Sequence, residues 1–370
     1  MNFRIDLAGN NDDGAIRQLL ASNAVPGRIA VTYEREPDYF RGCATMGSEC
    51  QVLVARAGDN GSRRLAGVAC RAVRSVFING REEKLGYLGQ LRVDADFRGR
   101  WLVSHGFSFL KRLHDDDPVP AYLVSLVEGN HEAAGVLINR RRKHFPAFHE
   151  IGGLFTLALM VGKLKPSLPS KAAISRASDS DLGEIISFLR QSGARRQFYP
   201  AWAEADFRSD GATPGFQIED FFIARRDGEL VGAVGLWDQS AYKQTVVRGY
   251  GGWMRAARPF YNAVAPLFDR PRLPAPGRKI RHAYAAFVCV ADDDADTFRA
   301  LLREVYSLAA SRGHDYLLIG LEARDPLLTV AREYSHIAYP SRLYLASWDD
   351  GKEFYERLDR RVAHVEIATL

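Results

Sequence analysis

The residues best suited to chemistry lie between Leu88 and Phe109, in the stretch LGQLRVDADFRGRWLVSHGFSF. An apolar strand pattern (Leu88, Leu91, Val93) runs into the turn Arg98-Gly99-Arg100. Helical spacing then resumes at Leu102, Phe109, Leu110 and Leu113. The first amides of a helix have no partners of their own, and the helix dipole is positive there. A basic, glycine-bearing turn at that point is therefore built to take an anion. Arg98 and Arg100 can add charge-assisted bonds to a phosphate. An ordinary strand-to-helix connection with solvated arginines has the same pattern, since a single Gly is weak evidence. Acid–base candidates follow the helix. Glu128 ends an apolar strand, Ala121 to Val127, and His131 stands three residues later, beside Asn130. A carboxylate and an imidazole in that position can exchange protons near neutral pH. His105, on the first turn of the helix, and Tyr87 are further options, and core or surface roles compete for each of them.

The elements that position these groups occur twice. Phe3 to Leu7 alternates like a strand, and Asn11-Asp12-Asp13 offers a cap for a helix over Gly14 to Ser22. Gln51 to Arg56 and Arg64 to Val76 read as a hairpin, with its loop at Ala57 to Ser62. The anion-turn strand and helix come next, then Ala121 to Val127, a helix toward Arg140-Arg141-Arg142-Lys143, and a strand over Leu154 to Val161. Residues 23–48 give no clear assignment. Lys163 to Lys171 (KLKPSLPSK) is a polar linker, after which the plan restarts. A strand at Ile174 to Ala177 precedes a helix capped by Asp179-Ser180-Asp181. Val52 to Ala69 then matches Phe221 to Val234, with Ala55 on Ala224 and Gly67 on Gly232. Tyr122 to Gly135 matches Tyr316 to Thr329, with Glu128 on Glu322. The offset is 165 residues at the glycines and 194 at the tyrosines, so 29 residues are inserted between them in the second copy. The Pro-rich, basic stretch Arg255 to Arg281 is the obvious insertion; it reads as a surface loop beside a solvated helix end or, with the basic run Arg140 to His144, as part of an anionic acceptor site. The order and the offsets predict two copies of one unit of roughly 160–200 residues: 1–162, a linker at 163–171, and 172–370. The fold class is α/β, an α+β mixed sheet in two tandem domains.

Composition narrows the class. The chain has 370 residues, 46% hydrophobic and 26% charged, with net charge +5. No apolar run reaches the roughly 18–20 residues needed to span a bilayer, and the N-terminal residues do not read as a signal or transit peptide. The expectation is a cytoplasmic protein without a membrane partner. The charge excess is too small to argue for nucleic acid. Cys43, Cys50, Cys70 and Cys289 have no metal-type spacing, so no metal is expected; Cys43 and Cys50 could approach each other as reduced thiols. The aromatic cluster Phe198, Tyr199, Trp202 and Phe207 reads as core. Trp253, Phe260 and Tyr261 flank the insertion and could line a pocket.

These residues resemble the GCN5-related N-acetyltransferase (GNAT) superfamily over nearly the whole chain. In that family the fourth strand leads into a Q/R-x-x-G-x-G/A turn whose amides hold the acyl-CoA pyrophosphate. Arg98-Gly99-Arg100-Trp101-Leu102-Val103 falls on that motif, with Val93 five residues before it. The family's Asn-x-x-Ala helix start is matched by Asn130-His131-Glu132-Ala133. The resemblance implies two GNAT-like domains and an acyl-CoA site in the first. Its contacts would be Leu91, Arg92, Val93, Arg98, Gly99, Arg100, Trp101, Leu102, Val103, Ser104 and Asn130, with Glu128 and His131 as catalytic candidates. The implied cosubstrate is acetyl-CoA or another acyl-CoA, and the acceptor an amine of a small molecule or peptide, on a monomer or homodimer. The chain departs from the pattern at Trp101 and Val103, which replace the later loop glycines, and at Leu137, where a general-acid Tyr is frequent. The second copy has Asp292-Asp293-Asp294-Ala295-Asp296 in place of the turn, and carboxylates repel a pyrophosphate. That copy is read as lacking CoA binding. Two alternatives stand beside acyl transfer: a tRNA-dependent aminoacyl transferase of tandem-GNAT type, and a non-catalytic ligand-binding protein on a degenerate scaffold.

Overall fold

The computed structural model describes residues 3–58, 64–98, 102–138, 144–209 and 211–370. In the first half, β1 (Phe3–Leu7) leads through a short turn into α1 (Asp13–Ser22), which buries Ile16, Leu19 and Leu20 on one face. Then come β2 (Ile29–Glu34), β3 (Glu49–Ala57), β4 (Arg64–Ile78), β5 (Arg81–Val93), α2 (Leu102–Asp116), β6 (Tyr122–Val127), α3 (His131–Leu137) and β7 (Ala147–Met160). After an extended linker the second half contains β8 (Ala173–Arg176), α4 (Leu182–Gly193), β9 (Phe221–Arg226), β10 (Glu229–Trp237), β11 (Gln244–Tyr250), α5 (Gly252–Val264) and β12 (Lys279–Ile280). It ends with β13 (His282–Val290), α6 (Ala295–Ser311), β14 (Tyr316–Glu322), α7 (Leu327–Ala331), β15 (His336–Ser347) and α8 (Lys352–Glu356).

Twelve strands form one sheet, in the order β1-β3-β4-β5-β6-β15-β7-β14-β13-β10-β9-β8. The halves are joined by exchange at its centre. β15, from the second half, lies antiparallel between β6 and β7, and β7, from the first, lies between β15 and β14. A second sheet, β12-β11-β2, also crosses the halves, since β2 pairs with β11. β2 and a 3-10 turn at Phe40–Thr45 occupy the stretch without a sequence assignment. Two further expectations are corrected. The strand read as Leu154 to Val161 extends back to Ala147, because it is paired on β15 along its whole length. The insertion read as a surface loop begins as the thirteen-residue helix α5, with Pro259 inside it.

The two halves share local detail that the hydrophobic pattern alone would not produce. The ladders of β5 with β4 and of β13 with β10 each carry a bulge, with a left-handed residue there: Gln90 at φ 57° and Phe287 at φ 57°. β5 and β13 then each run to a Val that faces the matched glycine, Gly67 opposite Val93 and Gly232 opposite Val290. The glycines let a helix approach the sheet. A Cβ on Gly67 would stand 3.1 Å from Leu102 of α2, and one on Gly232 would stand 2.8 Å from Leu301 of α6. β5 pairs with β6 in parallel only at Gly86 and Tyr87, and β13 pairs with β14 only from His282 to Tyr284. Beyond those residues each pair diverges and leaves a gap.

The second gap is filled by the chain's own last residues. Ile367 packs against Gly320 of β14, where an added Cβ would collide with the Ile367 side chain. Glu366 accepts the amide of Phe287, at the bulge, at 2.7 Å. Gly320→Ala should therefore destabilise the fold by about 1–3 kcal/mol through overpacking. Combining it with Ile367→Ala should cost less than the two single changes added together, read from urea unfolding midpoints as a double-mutant cycle. Additivity would show that the two side chains do not meet.

Candidate active site in the first half

The gap between β5 and β6 is where the sequence places the acyl-binding residues. Leu91 is exposed, Arg92 and Val93 are half-buried, and Val127 at the end of β6 is exposed. Arg92 donates to the Leu91 carbonyl at 2.8 Å and lies over the Tyr33 ring. Its guanidinium is shifted below the usual arginine range, first by burial. Tyr87 stands where the strands part. A Cβ on Gly89 would lie 2.6 Å from its hydroxyl, which puts that hydroxyl beside the bulge. Burial pushes the Tyr87 phenol up to about 12, so it keeps its proton near neutral pH.

Gly99, Arg100 and Trp101, the middle of the anion turn, lie outside the described residues. Arg98 is exposed and reaches back to the end of α1, donating to Asn23 Oδ1 at 3.2 Å. Leu102 is buried against the sheet, Val103 packs beside Phe107, and the Ser104 carbonyl accepts the Ser108 hydroxyl. Ahead of the turn, Asp94 and Asp96 are both held by Arg64 at 2.7 Å.

The corresponding place in the second half is already occupied. Asp294 caps α6, accepting the amides of Asp296 and Thr297 at 3.0 Å each, and pairs with Arg226 at 2.9 Å. Those amide bonds, with the Arg226 bond, hold its carboxyl below the ordinary aspartate range. Asp292 pairs with Arg195 at 2.7 Å and Asp293 with Arg196. The amides that would meet a phosphate carry an internal carboxylate instead.

The proton-transfer candidates are dispersed. Glu128 is exposed and bonded to Arg342 at 2.8 Å, and Arg342 also bonds Glu150 at 2.6 Å. Its sequence match Glu322 is buried beside Gly152 and accepts the Arg324 amide at 2.6 Å, so the two glutamates have different surroundings. Asn130 caps α3, accepting the Ala133 amide at 3.1 Å, and His131 opens that helix on the surface. Leu137 packs in the Phe107 cluster. His105 is exposed on α2. The basic run at 140–143 lies outside the described residues.

Sequence reasoning missed the groups brought in by the C-terminal segment. A small cavity of about 30 Å³ reaches the root of the first gap, at Gly86, Tyr87 and Leu123, and is also lined by Arg74, His364, Glu366 and Leu370. Arg74 donates to Thr369 Oγ1 at 3.0 Å, and burial pulls it down to about 10. Lys243, buried, donates to the carbonyls of Ala368 and Leu370 at 2.9 and 3.0 Å, and burial holds it well below the ordinary lysine range. Burial raises Glu366 to about 7, against the pull of its two amide donors. No local pattern in the sequence announces that residues 363–370 fold back into the centre.

The predicted aromatic core holds: Phe198, Tyr199, Trp202 and Phe207 are buried. Cys43 and Cys50 do come together, with Cys70 as a third thiol, their sulfurs within 4.8 Å of one another. All are reduced, and Arg35 donates to Cys43 Sγ at 3.4 Å. Three thiols so placed could ligate a soft metal ion. Among the described residues no helix is long and apolar enough to cross a membrane.

No protein-family model matches the sequence, and no curated protein matches it. Solved structures do match. N-myristoyltransferase of Saccharomyces cerevisiae with bound myristoyl-CoA superposes with a TM-score of 0.61 at 9% identity, covering 93% of this chain and 82% of that one. A GCN5-related N-acetyltransferase from Sphaerobacter thermophilus gives 0.54 at 13% identity, covering 93% and 95%. A GCN5-related glucosamine N-acetyltransferase region of a fungal β-N-acetylglucosaminidase gives 0.61 at 14%, covering 93% of this chain and 38% of that one. The chain has the GNAT fold, as two GNAT-like lobes on a shared mixed sheet.

One buried group beside the cavity makes a stability prediction. His364 stacks near Tyr199, and burial, with Arg196 nearby, lowers its pKa to about 3. The folded state keeps it neutral while the unfolded chain protonates near 6.5. Its contribution is thus fully present above pH 6.5 and is lost as pH falls toward 3. At pH 4.5 the loss should be roughly 2–3 kcal/mol. His364→Phe should flatten that part of the stability profile, measured by urea unfolding at pH 4.5 and 7. Parallel profiles for the two proteins would refute it.

Proposed function

We propose that the chain is an acyl-CoA-dependent N-acyltransferase that works through its first half. The supporting observation is the contrast between the gaps: β5 and β6 pair only at Gly86 and Tyr87, with Leu91 and Val127 exposed beyond, whereas the β13–β14 gap is filled by Glu366 and Ile367. We read residues 1–162 and 172–370 as two copies of one unit, of which the second has given up CoA. A pantetheine arm would lie along Leu91–Val93. The pyrophosphate would meet the amides of Arg98 to Ser104, with Arg98 released from Asn23 to bind it.

In the transfer, the acceptor nitrogen attacks the thioester carbonyl, the new C–N bond forms and the C–S bond breaks. The nitrogen loses a proton and the thiolate gains one. Tyr87 is the donor this reading assigns to the thiolate, because its hydroxyl sits by the bulge and stays protonated. Glu128, one residue past β6, and His131, at the start of α3, are the candidates this reading assigns to the amine proton, and Glu128 must leave Arg342 before it can take one. The acyl group is acetyl or longer, and the acceptor is an amine of a small molecule or peptide.

Acetyl-, octanoyl- and myristoyl-CoA should each be tested by thermal shift. A ligand at 100 times its Kd should stabilise the fold by about 2.7 kcal/mol. Arg98→Glu should remove most of that shift, and Tyr87→Phe should leave binding intact while lowering kcat. No shift with any of the three at millimolar concentration would eliminate acyl-CoA transfer as the function.

A further inference from the structure

Helix α5 is amphipathic in the reverse sense to a packed helix. Its polar side is used up inside the protein. Arg258 Nε and Asn262 Nδ2 donate to the Leu273 carbonyl at 3.1 and 3.0 Å, Asn262 Oδ1 accepts the Leu273 amide at 2.8 Å, and the Tyr261 hydroxyl donates to the Pro271 carbonyl. Its apolar side faces outward and continues into the following 3-10 turn. Trp253 is 67% exposed, Phe260 77%, Leu267 81% and Phe268 70%. The spacing of 253, 260 and 267 is a strict heptad, so the three side chains share one face.

Charge says what covers this face. Residues 252–281 hold seven basic side chains and one acidic one, a net +6, while the whole chain carries +5. The rest of the protein is close to neutral, and its positive excess lies in α5 and the segment that follows it, where Arg281 is paired with Asp315. The acidic exception, Asp269, is turned inward, accepting the Lys163 amide at 2.6 Å. Beside the first turn of α5 an open hollow is lined by Arg248, Arg255 and Arg258. Arg248 there also meets Glu34.

We propose that α5 and the 265–268 turn dock the protein on an anionic phospholipid bilayer, with Trp253, Phe260, Leu267 and Phe268 entering the interface and the surrounding arginines meeting lipid phosphates. An aromatic and aliphatic face flanked by arginine is the pattern of a helix that lies in the headgroup plane, and each cation near an anionic leaflet adds to the attraction. No membrane crossing is involved.

The full chain should be sedimented with vesicles of equal parts phosphatidylglycerol and phosphatidylcholine, and with phosphatidylcholine alone. Wild type should pellet with the anionic vesicles and be released by raised salt. Trp253→Ser with Phe260→Ser, and separately Arg255→Glu with Arg270→Glu, should each weaken binding by about tenfold or more. All four side chains are exposed, so melting temperatures should not change. Wild type left in the supernatant, equal binding to neutral vesicles, or variants that pellet like wild type would each overturn the proposal. So would a fall in oligomeric mass of the Ser double variant without lipid, which would assign the face to a second copy of the chain.

Discussion

Two parallel strands that begin paired and then part leave a row of amides and carbonyls without partners, and buried groups of that kind must be satisfied. This chain contains the problem twice, at β5–β6 and at β13–β14. It answers differently in the two places. In the second, the bulge amide of Phe287 is taken by Glu366 and the space is packed by Ile367. In the first, the edge from Leu88 to Val93 borders the surface, and water or a ligand must satisfy it. The structural difference between the two gaps follows from where the C-terminal segment packs.

That segment is held by buried cations. Lys243 and Gln239 both donate to the Ala368 carbonyl, and Arg74 donates to Thr369. A buried ammonium or guanidinium is costly without acceptors, so these side chains bind the segment as firmly as the segment solvates them. The central strand exchange works in the same direction. With β15 between β6 and β7, the backbone of the second half forms one wall of the first half's sheet. The halves therefore cannot part without breaking ladder hydrogen bonds, and the cavity at the root of the first gap has a fixed wall contributed by both.

What could be read from the sequence was whatever depends on neighbours along the chain. Gly67 and Gly232 were visible as a matched pair, and they mark where α2 and α6 press on the sheet. The hairpins and the Asp-rich helix starts were visible because turn and cap chemistry is local. The pairing of β2 with β11, the exchange of β7 and β15, and the return of residues 363–370 to the centre depend on contacts distant in sequence, and no local pattern encodes them. The insertion failed for another reason. Periodicity shows that a helix has an apolar face but not which way it points, and in α5 that face points outward. Leu91 to Val93 and Asn130 could be named as candidates by motif alone. Arg74, His364 and Glu366, which line the cavity, could not, because they reach it from two segments far apart in sequence, β4 and residues 363–370.

In the second half, more than an altered turn stands in the place that the proposed reading gives to CoA. Asp294 occupies the amides at the start of α6, Glu366 the amide at the bulge, and Ile367 the volume between the strands. A cofactor would have to displace an internal carboxylate already paired with Arg226, pull a glutamate off two backbone donors and expel a packed side chain. No one of these could be undone by a single loop substitution that restored a glycine. The three blocks come from α6 and from the chain's last residues, so they form together only when the whole chain is folded. The same folding event brings Glu366 and Leu370 to the cavity beside Tyr87. Closing one gap and lining the root of the other are thus a single structural act of the same segment.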